Sequence, residues 1–401
     1  MKFTFCHLGD IHLGSYQGKI ETGGLNSRFL DFIKTFNEAI DTVIEKKIPL
    51  CLFAGDIFRS KTPSPEELNE FAKGLMKLLN EDIKVVISLG NHDLFLADNR
   101  THSFGVIQTM LENNKNIIIS KQPELLKVEI PEGTVQIQTG PYPIRSVLRL
   151  NDNKEVSKYV EDKIEEVYAT RNKKLPIIYL GHYTLSGAMV GDEQRYVDKF
   201  TEPVINTSIF KKKDYAYVAM GHIHKYQEVM DKPTIIYAGS LNRCDFNEAK
   251  EDKGFLIVNV DGKNTEYEFV KVNARTFVDL RYDLEKEEDP QVAIMKDLKK
   301  KKEIKNAIVR LEVVLSGDNE RKYNSKEVVD FINSNAYWIH GAPNIIVRKN
   351  SIQRNNAGFK ESMNAFQAFE HYVEVNKVRH KELFLQLGRE VIQKCNEERK
   401  P

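Results

Sequence analysis

Cysteine is scarce: four residues in 401, at Cys6, Cys51, Cys244 and Cys395, with no Cys-x-x-Cys pair among them. That spacing argues against a disulfide framework and a zinc ribbon, and fits buried thiols in a reducing compartment. Long apolar runs are lacking too. No stretch approaches the roughly 18 residues that span a bilayer, and Phe3 to Leu8 is interrupted by Gly9-Asp10 too soon for a signal peptide. The expectation is a cytoplasmic protein without a membrane segment. Nor does one sign of charge dominate, because 59 Lys+Arg stand against 58 Asp+Glu, a formal +1. A wholly basic surface is excluded, whereas a local basic groove on an acidic background is not. With 41% hydrophobic residues, disorder, collagen and coiled-coil rods are excluded as well. A domain commonly takes about 100–200 residues, so a chain of this length should hold two or three.

What is present is an α/β rhythm. Short β-rich runs at Phe3 to Leu8, Leu50 to Ala54 and Lys84 to Leu89 alternate with amphipathic stretches at Arg28 to Lys46 and Ser64 to Asn80. Continuous apolar triplets such as Val85-Val86-Ile87 suit strands buried on both faces, while Phe29, Phe32, Ile33, Phe36 and Ile40 recur at helical spacing. Further strands are expected at Ile177 to Leu180, Tyr215 to Met220, Ile235 to Ala238 and Phe255 to Val260. After about residue 275 the pattern changes: β-rich at Phe277 to Tyr282, helical near Pro290 to Lys302, β-rich again at Ala307 to Leu315 and Ile345 to Arg348. This reads as a small α+β domain. The polar stretch Asn350 to Asn356 reads as a linker. Two amphipathic helices follow, with Met363, Phe366, Phe369 and Val373 on one and Phe384, Leu387, Val391 and Cys395 on the other. The expected divisions are 1–275, 276–349 and 350–401.

Chemistry-bearing residues collect where the expected strands end. Asp10 and His12 follow the first, Gly55-Asp56 the second, Gly90-Asn91-His92-Asp93 the third, Gly181-His182 a later one, and Gly221-His222-Ile223-His224 the last. Ligands of open α/β sheets gather at such ends. Taken singly, Asp-x-His or Gly-Asp reads as a turn beside a satisfied side chain. Five such segments, holding five of the ten histidines, point instead to one shared metal site. Two carboxylates, one amide oxygen and four imidazoles are too many for one tetrahedral zinc and suit two ions sharing a carboxylate. Oxygen and imidazole donors without thiolate favour manganese, iron or zinc over magnesium. With two aspartates and one hydroxide beside two divalent ions, about one positive charge remains to hold a phosphate. Phosphoester hydrolysis is the natural chemistry.

The ordered set Asp-x-His, Gly-Asp, Gly-Asn-His-Asp, Gly-His and Gly-His-x-His resembles the calcineurin-like metallophosphoesterases over roughly residues 1–275. Within that superfamily the chain resembles the SbcD-type nuclease subunit of the SbcCD complex, a relative of the meiotic recombination double-strand-break nuclease. The supporting segment is Ala238-Gly239-Ser240 through Arg243, Asp245-Phe246 and Lys253-Gly254-Phe255. The resemblance implies a β-sandwich flanked by helices, a small α+β cap and C-terminal helices. It implies Asp10, His12 and His224 on one ion, Asn91, His182 and His222 on the other, and Asp56 bridging. His92 would be the proton donor or phosphate stabiliser, with Asp93 either orienting it or capping the loop. It further implies a manganese-dependent DNA nuclease, 3′-5′ exonuclease and endonuclease, acting in repair or recombination. Implied partners are DNA and an SbcC-like SMC/ABC-type coiled-coil ATPase docked on the C-terminal helices, with a homodimer inside a heterotetramer close to the nucleoid. One departure is Arg59, three residues after Asp56, where some relatives carry histidine.

Phosphate contacts can come from Arg100, His102, Arg145, Arg149, the Lys211-Lys212-Lys213 run and the run Lys299 to Lys302, none of them specific. Two rival readings are another phosphoesterase with the same site, acting on a small molecule, a cyclic nucleotide or a phosphoprotein, and a non-catalytic repair scaffold. Against the first stand the absence of an Asp-Arg-Gly continuation after Gly55-Asp56 and the extra C-terminal domains. Against the second stands the retention of all seven ligand types.

Overall fold

The computed structural model describes residues 1–21, 23–94, 104–189, 202–211, 213–262, 264–348, 363–375, 378 and 380–398, with the side chains of 395–398 excepted. Arg100, His102, Lys212, the Asn350 to Asn356 linker and the side chain of Cys395 therefore lie outside the described residues.

Strands β1 (Lys2–Leu8), β2 (Leu50–Phe53), β3 (Lys84–Ser88), β4 (Ile117–Ser120), β5 (Glu124–Ile130), β6 (Gly133–Gly140) and β7 (Ile177–His182) are followed by a minor pair, β8 (Thr184–Leu185) and β9 (Val204–Ile205). Then come β10 (Tyr217–Gly221), β11 (Gln227–Met230), β12 (Ile235–Tyr237), β13 (Gly254–Asp261) and β14 (Asn264–Lys271). They assemble two six-stranded sheets, in the orders β14-β13-β1-β2-β3-β4 and β11-β12-β10-β7-β6-β5.

Side-chain alternation decides how these sheets stack. Phe3, Phe5, Leu50, Leu52 and Val86 of the first sheet share one core with Val135, Ile137, Ile178, Leu180 and Ala219 of the second. From the opposite face of the first sheet, Cys6, Leu8, Cys51, Phe53, Val85 and Ile87 meet Phe32, Phe36, Ile40 and Val43 of the helix Ser27–Glu45, together with Phe71, Leu75 and Leu78 of the helix Pro65–Asn80. The outer face of the second sheet, through Tyr179, Val218, Met220 and Tyr237, packs on Val160, Ile164 and Tyr168 of the helix Asn153–Ala169. The result is the expected sandwich of sheets flanked by helices. Both helices over the first sheet begin at a capping side chain: Asn26 accepts the amides of Arg28 and Phe29, and Ser64 forms a capping box with Glu67 ahead of Pro65.

The inter-sheet core also holds a titratable side chain. His7 of β1 is fully buried, its Nδ1 3.1 Å from the Tyr217 hydroxyl. Burial pulls its imidazole down to about 3, against a smaller upward pull from the Met220 backbone.

The chain divides into two compact units, Met1–Leu280 with Lys299–Leu311 and Lys326–Pro343, and Arg281–Leu298 with Glu312–Ser325 and Asn344–Pro401. In the first, Ile308 and Val309 pair in parallel with Trp338 and Ile339. In the second, Glu312 to Ser316 pair in parallel with Asn344 to Arg348. The helix expected over Pro290 to Lys302 ends at Leu298, ahead of a short 3-10 turn at Lys302–Ile304. A helix at Ser325–Asn335 adds to the elements read from the sequence. The helices Ala365–Val375 and Lys381–Glu398 pair through Phe369 and Phe384, whose rings stack at 6.1 Å. Among the described residues no helix is long and apolar enough to cross a membrane.

Candidate metal centre

β1, β2 and β3 run parallel to one another, as do β7 and β10, so their carboxyl ends deliver one loop after another to the same place. The loops after β1 and β2 are bonded together: Asp10 N–H donates to the Gly55 carbonyl at 3.1 Å, His12 N–H to Asp56 at 3.0 Å and Leu13 N–H to Ile57 at 2.9 Å. Asp10, His12, Asp56 and His222 all adopt left-handed backbone conformations, with φ of 51°, 49°, 51° and 91°. Such conformations are costly in non-glycine residues and collect at functional sites. Glycine is required next to them. A Cβ on Gly90 would lie 2.2 Å from Asp56 Oδ1, and one on Gly221 would lie 2.0 Å from the Ala54 carbonyl oxygen.

All seven residues singled out as ligands come together. Asp10, His12 and His224 offer ligand atoms within 4.8 Å of one another, and so do Asp56, His182 and His222. Asn91 Oδ1 is 3.1 Å from both His182 Nε2 and His222 Nδ1. Asp56 stands between the two groups: Oδ1 accepts the His92 amide at 2.8 Å, while Oδ2 lies 3.6 Å from His12 Nε2 and 3.3 Å from His182 Nε2. Both oxygens of Asp10 accept the His222 amide, at 2.9 and 3.0 Å.

The tautomers follow from the outer partners. His182 Nδ1 donates to the Ala54 carbonyl at 2.5 Å, His222 Nε2 to Glu202 Oε2 at 2.7 Å, and His224 Nδ1 to Glu248 Oε1 at 2.8 Å. Each neutral ring therefore turns its remaining lone pair inward, where it meets other lone pairs: His224 Nε2 is 2.9 Å from His12 Nε2, and His182 Nε2 faces Asn91 Oδ1. Acceptors facing acceptors at this distance repel unless a cation lies among them, so the residues fit two metal ions with carboxylate, amide and imidazole donors. Without an ion a proton takes its place: burial opposes charge on His182, yet the Asp56 carboxylate beside it pushes the imidazole up to about 9, and a bound metal ion would displace that proton. Burial would also raise Asp56, but His182 and His12 hold its carboxyl well below the usual range.

Two acidic residues behind the ligands escaped the sequence reading, and Lys253 entered it only as part of a segment, with no role. Glu202 is held by the Thr184 hydroxyl at 2.6 Å and fixes His222. Glu248, fixing His224, is bound by the buried Lys253 ammonium at 2.6 Å, which also reaches Glu251 at 2.8 Å and the His224 carbonyl at 3.1 Å. Burial raises Glu248, but His224 and Lys253 outweigh it and bring the carboxyl down to about 2. Lys253 falls in the Lys253-Gly254-Phe255 segment, whereas no spacing rule marks Glu202. An aromatic wall was missed as well: the Tyr142 ring lies 5.6 Å from that of His222 and 6.3 Å from that of His182.

His92 borders the first group, its ring 5.0 Å from that of His12, and its Nδ1 donates to the Arg59 carbonyl at 2.6 Å. The Asp93 carboxylate accepts the amides of Gly90 at 3.0 Å and Ile57 at 3.1 Å, which ties the third loop to the second. Burial, with Asp56 nearby, raises Asp93 to about 7. The Arg59 guanidinium bonds the Ser15 carbonyl and covers the Tyr16 ring at 4.1 Å. Among the basic residues, Arg145, Arg149, Lys211, Lys299 and Lys300 are exposed, while Lys213 is drawn in against Glu165 at 2.5 Å.

Comparison with known proteins matches residues 3–226, a span that contains every one of the seven ligand positions, to the calcineurin-like phosphoesterase family. The chain is 24% identical to the DNA double-strand break repair protein Mre11 of Methanococcus maripaludis, over 64% of this chain and 63% of that one. It is 26% identical to the Archaeoglobus fulgidus protein of the same name, over 69% and 60%. With the SbcD component of the SbcCD nuclease of Staphylococcus epidermidis it shares 26% identity, over 64% and 65%. The match thus spans 60–65% of the length of these three relatives. On the family match, the lone-pair geometry and the strand-end placement together, this chain belongs to the calcineurin-like phosphoesterases.

Proposed function

We propose that this chain is a manganese-dependent DNA nuclease, with 3′-5′ exonuclease and endonuclease activity on DNA ends or hairpins, working in repair or recombination. The observation that carries the reading is the pair of inward-facing lone-pair groups on either side of Asp56. Support comes from relatives named for DNA break repair and for the SbcCD nuclease. Asp10, His12 and His224 would hold one divalent ion and Asn91, His182 and His222 the other, with Asp56 shared. Bound there, two such ions would acidify a water and neutralise charge developing on a phosphoryl group.

The chain's own groups do the rest. Glu202, Glu248 and the Ala54 carbonyl fix three imidazoles in the tautomer that leaves a lone pair free. The amides of His222 and His92 aim Asp10 and Asp56. His92, whose Nδ1–H bonds the Arg59 carbonyl, acts as an imidazolium that gives its Nε2 proton to the leaving 3′ oxygen and is left neutral. Asp93 is a positioning residue, holding the loop that carries Asn91 and His92.

In the second unit, Tyr372, Leu383, Phe384, Leu387 and Val391 are exposed apolar side chains on the two C-terminal helices. They suit docking on an SbcC-like SMC/ABC-type ATPase. The same reading places a homodimer within a heterotetramer, in the cytoplasm near the nucleoid. The test is a manganese-dependent assay with plasmid and hairpin DNA beside a chromogenic phosphodiester. Cutting of DNA is expected. Hydrolysis of the small ester alone would transfer the site to a small-molecule phosphodiesterase, and inactivity on both would leave a scaffold.

A further inference from the structure

Beside the metal centre lies a cavity of about 280 Å³ whose walls include Tyr142, Tyr159, Tyr179 and Tyr183. It meets the centre through Tyr142, which lines the cavity and whose ring lies 5.6 Å from that of His222 and 6.3 Å from that of His182. We propose that this cavity receives an unpaired nucleobase of the DNA strand held at the metal centre. The inference rests on the nuclease reading above and adds to it a place for the base and a requirement that the strand be unpaired there.

The shape and chemistry of the walls carry the argument. Small-molecule pockets usually run from about 300 to 1,000 Å³, so this one admits a single nucleoside rather than a stacked pair. Tyr179 and Tyr183 are buried, so the half-buried rings of Tyr142 and Tyr159, with Pro143, Ile144 and Val147 beside them, are the ones that can cover a base taken out of its stack. Several polar side chains in the wall are already engaged. Gln138 donates to the Ile164 carbonyl at 3.0 Å and accepts the Tyr215 hydroxyl at 2.6 Å, Thr139 shares a hydrogen bond with Ser120 at 2.8 Å, and the Tyr179 and Tyr183 hydroxyls bond each other. Stacking tolerates any sequence because every base has a face, so the cavity accepts any of the four bases. Lys121 and Lys163 border the cavity, and Lys163 lies over the Tyr159 ring at 6.0 Å while pairing with Glu166 at 2.6 Å. They supply positive charge for the flanking phosphates.

The experiment moves a single abasic site along a single-stranded oligonucleotide and follows manganese-dependent cutting by the full chain. One position, fixed relative to the bond cut, should slow cutting about 5- to 150-fold, the range of one base–aromatic stacking contact. Exchange among the four bases at that position should matter little. Val147→Trp, which fills the cavity, should cut the intact strand at the rate the unmodified protein shows on the sensitive abasic strand, and should lose the abasic dependence. Thermal unfolding verifies that the variant folds, and Tyr159→Ala, which removes a wall, replaces it with the same expectation if it does not. A flat abasic profile in protein that cuts the intact strand overturns the inference and leaves the nuclease reading standing. Hydrolysis of a chromogenic phosphodiester without cutting of any DNA overturns both. An abasic dependence that survives in the folded variant overturns the cavity as its source.

Discussion

Acid should destabilise this protein through His7, a residue with no part in the chemistry. In the unfolded chain an imidazole titrates near about 6.5. In the sandwich core His7 is held neutral down to about 3, because burial between the sheets disfavours the charged ring. Between those two values the unfolded state binds one more proton than the folded state, so stability rises with pH and is lost as pH falls. Each unit below 6.5 costs about 1.4 kcal/mol, and pH 5 lies about 1.5 units below, giving a loss of roughly 2 kcal/mol between pH 7 and pH 5 from this side chain. That is a large share of the roughly 5–15 kcal/mol typical of a domain. The assay is urea unfolding at a series of pH values for the protein and for His7→Gln, which keeps an acceptor for the Tyr217 hydroxyl but does not titrate. Other groups titrate equally in both, so the difference in slope isolates His7. The variant is expected to lose about 2 kcal/mol less over that interval. Parallel pH dependences would refute the burial argument.

The remaining expectations concern the site and the C-terminal helices. His92→Ala should lower DNA cutting by about 10²- to 10⁴-fold, the usual worth of a general acid, while bound metal, measured by elemental analysis, stays the same. Glu248→Gln removes the charge that fixes His224, and should weaken manganese binding about 10- to 100-fold by calorimetric titration. Truncation after residue 350 should abolish association with a coiled-coil ATPase in a pull-down and spare manganese-dependent phosphodiesterase activity.

How far the sequence foretold the molecule depended on continuous apolar runs: β6 is buried over most of its length, yet its Val-Gln-Ile-Gln pattern passed unread. β1, β2, β3, β7 and β10 are flanked on both faces, so their apolar runs were legible, and the ligand loops at their ends were legible with them. β4 and β14 are edge strands with mostly half-exposed or exposed side chains, and they passed unread. β14 does alternate, placing Tyr267 and Phe269 against the inter-sheet core. The seven inner residues stood out because each lies at or just after a strand end, beside or near a glycine. Their supports did not, because the link is made in space: Glu202 lies 20 residues from His222 and Glu248 lies 24 from His224. Arg59 illustrates the limit in another way, since its side chain turns back on Ser15 and Tyr16, a contact with no signature in the segment Ile57-Phe58-Arg59.

Asp56 carries the central claim, for its Oδ2 lies between His12 of one group and His182 of the other. The most direct measurement is the number of manganese ions bound per chain, by equilibrium dialysis with elemental analysis, in the protein and in Asp56→Ala, with DNA cutting measured on the same samples. Two ions per chain are expected in the protein, with weakened binding at both positions and loss of cutting in the variant. One ion per chain, or a variant that keeps two ions and still cuts DNA, would contradict the account.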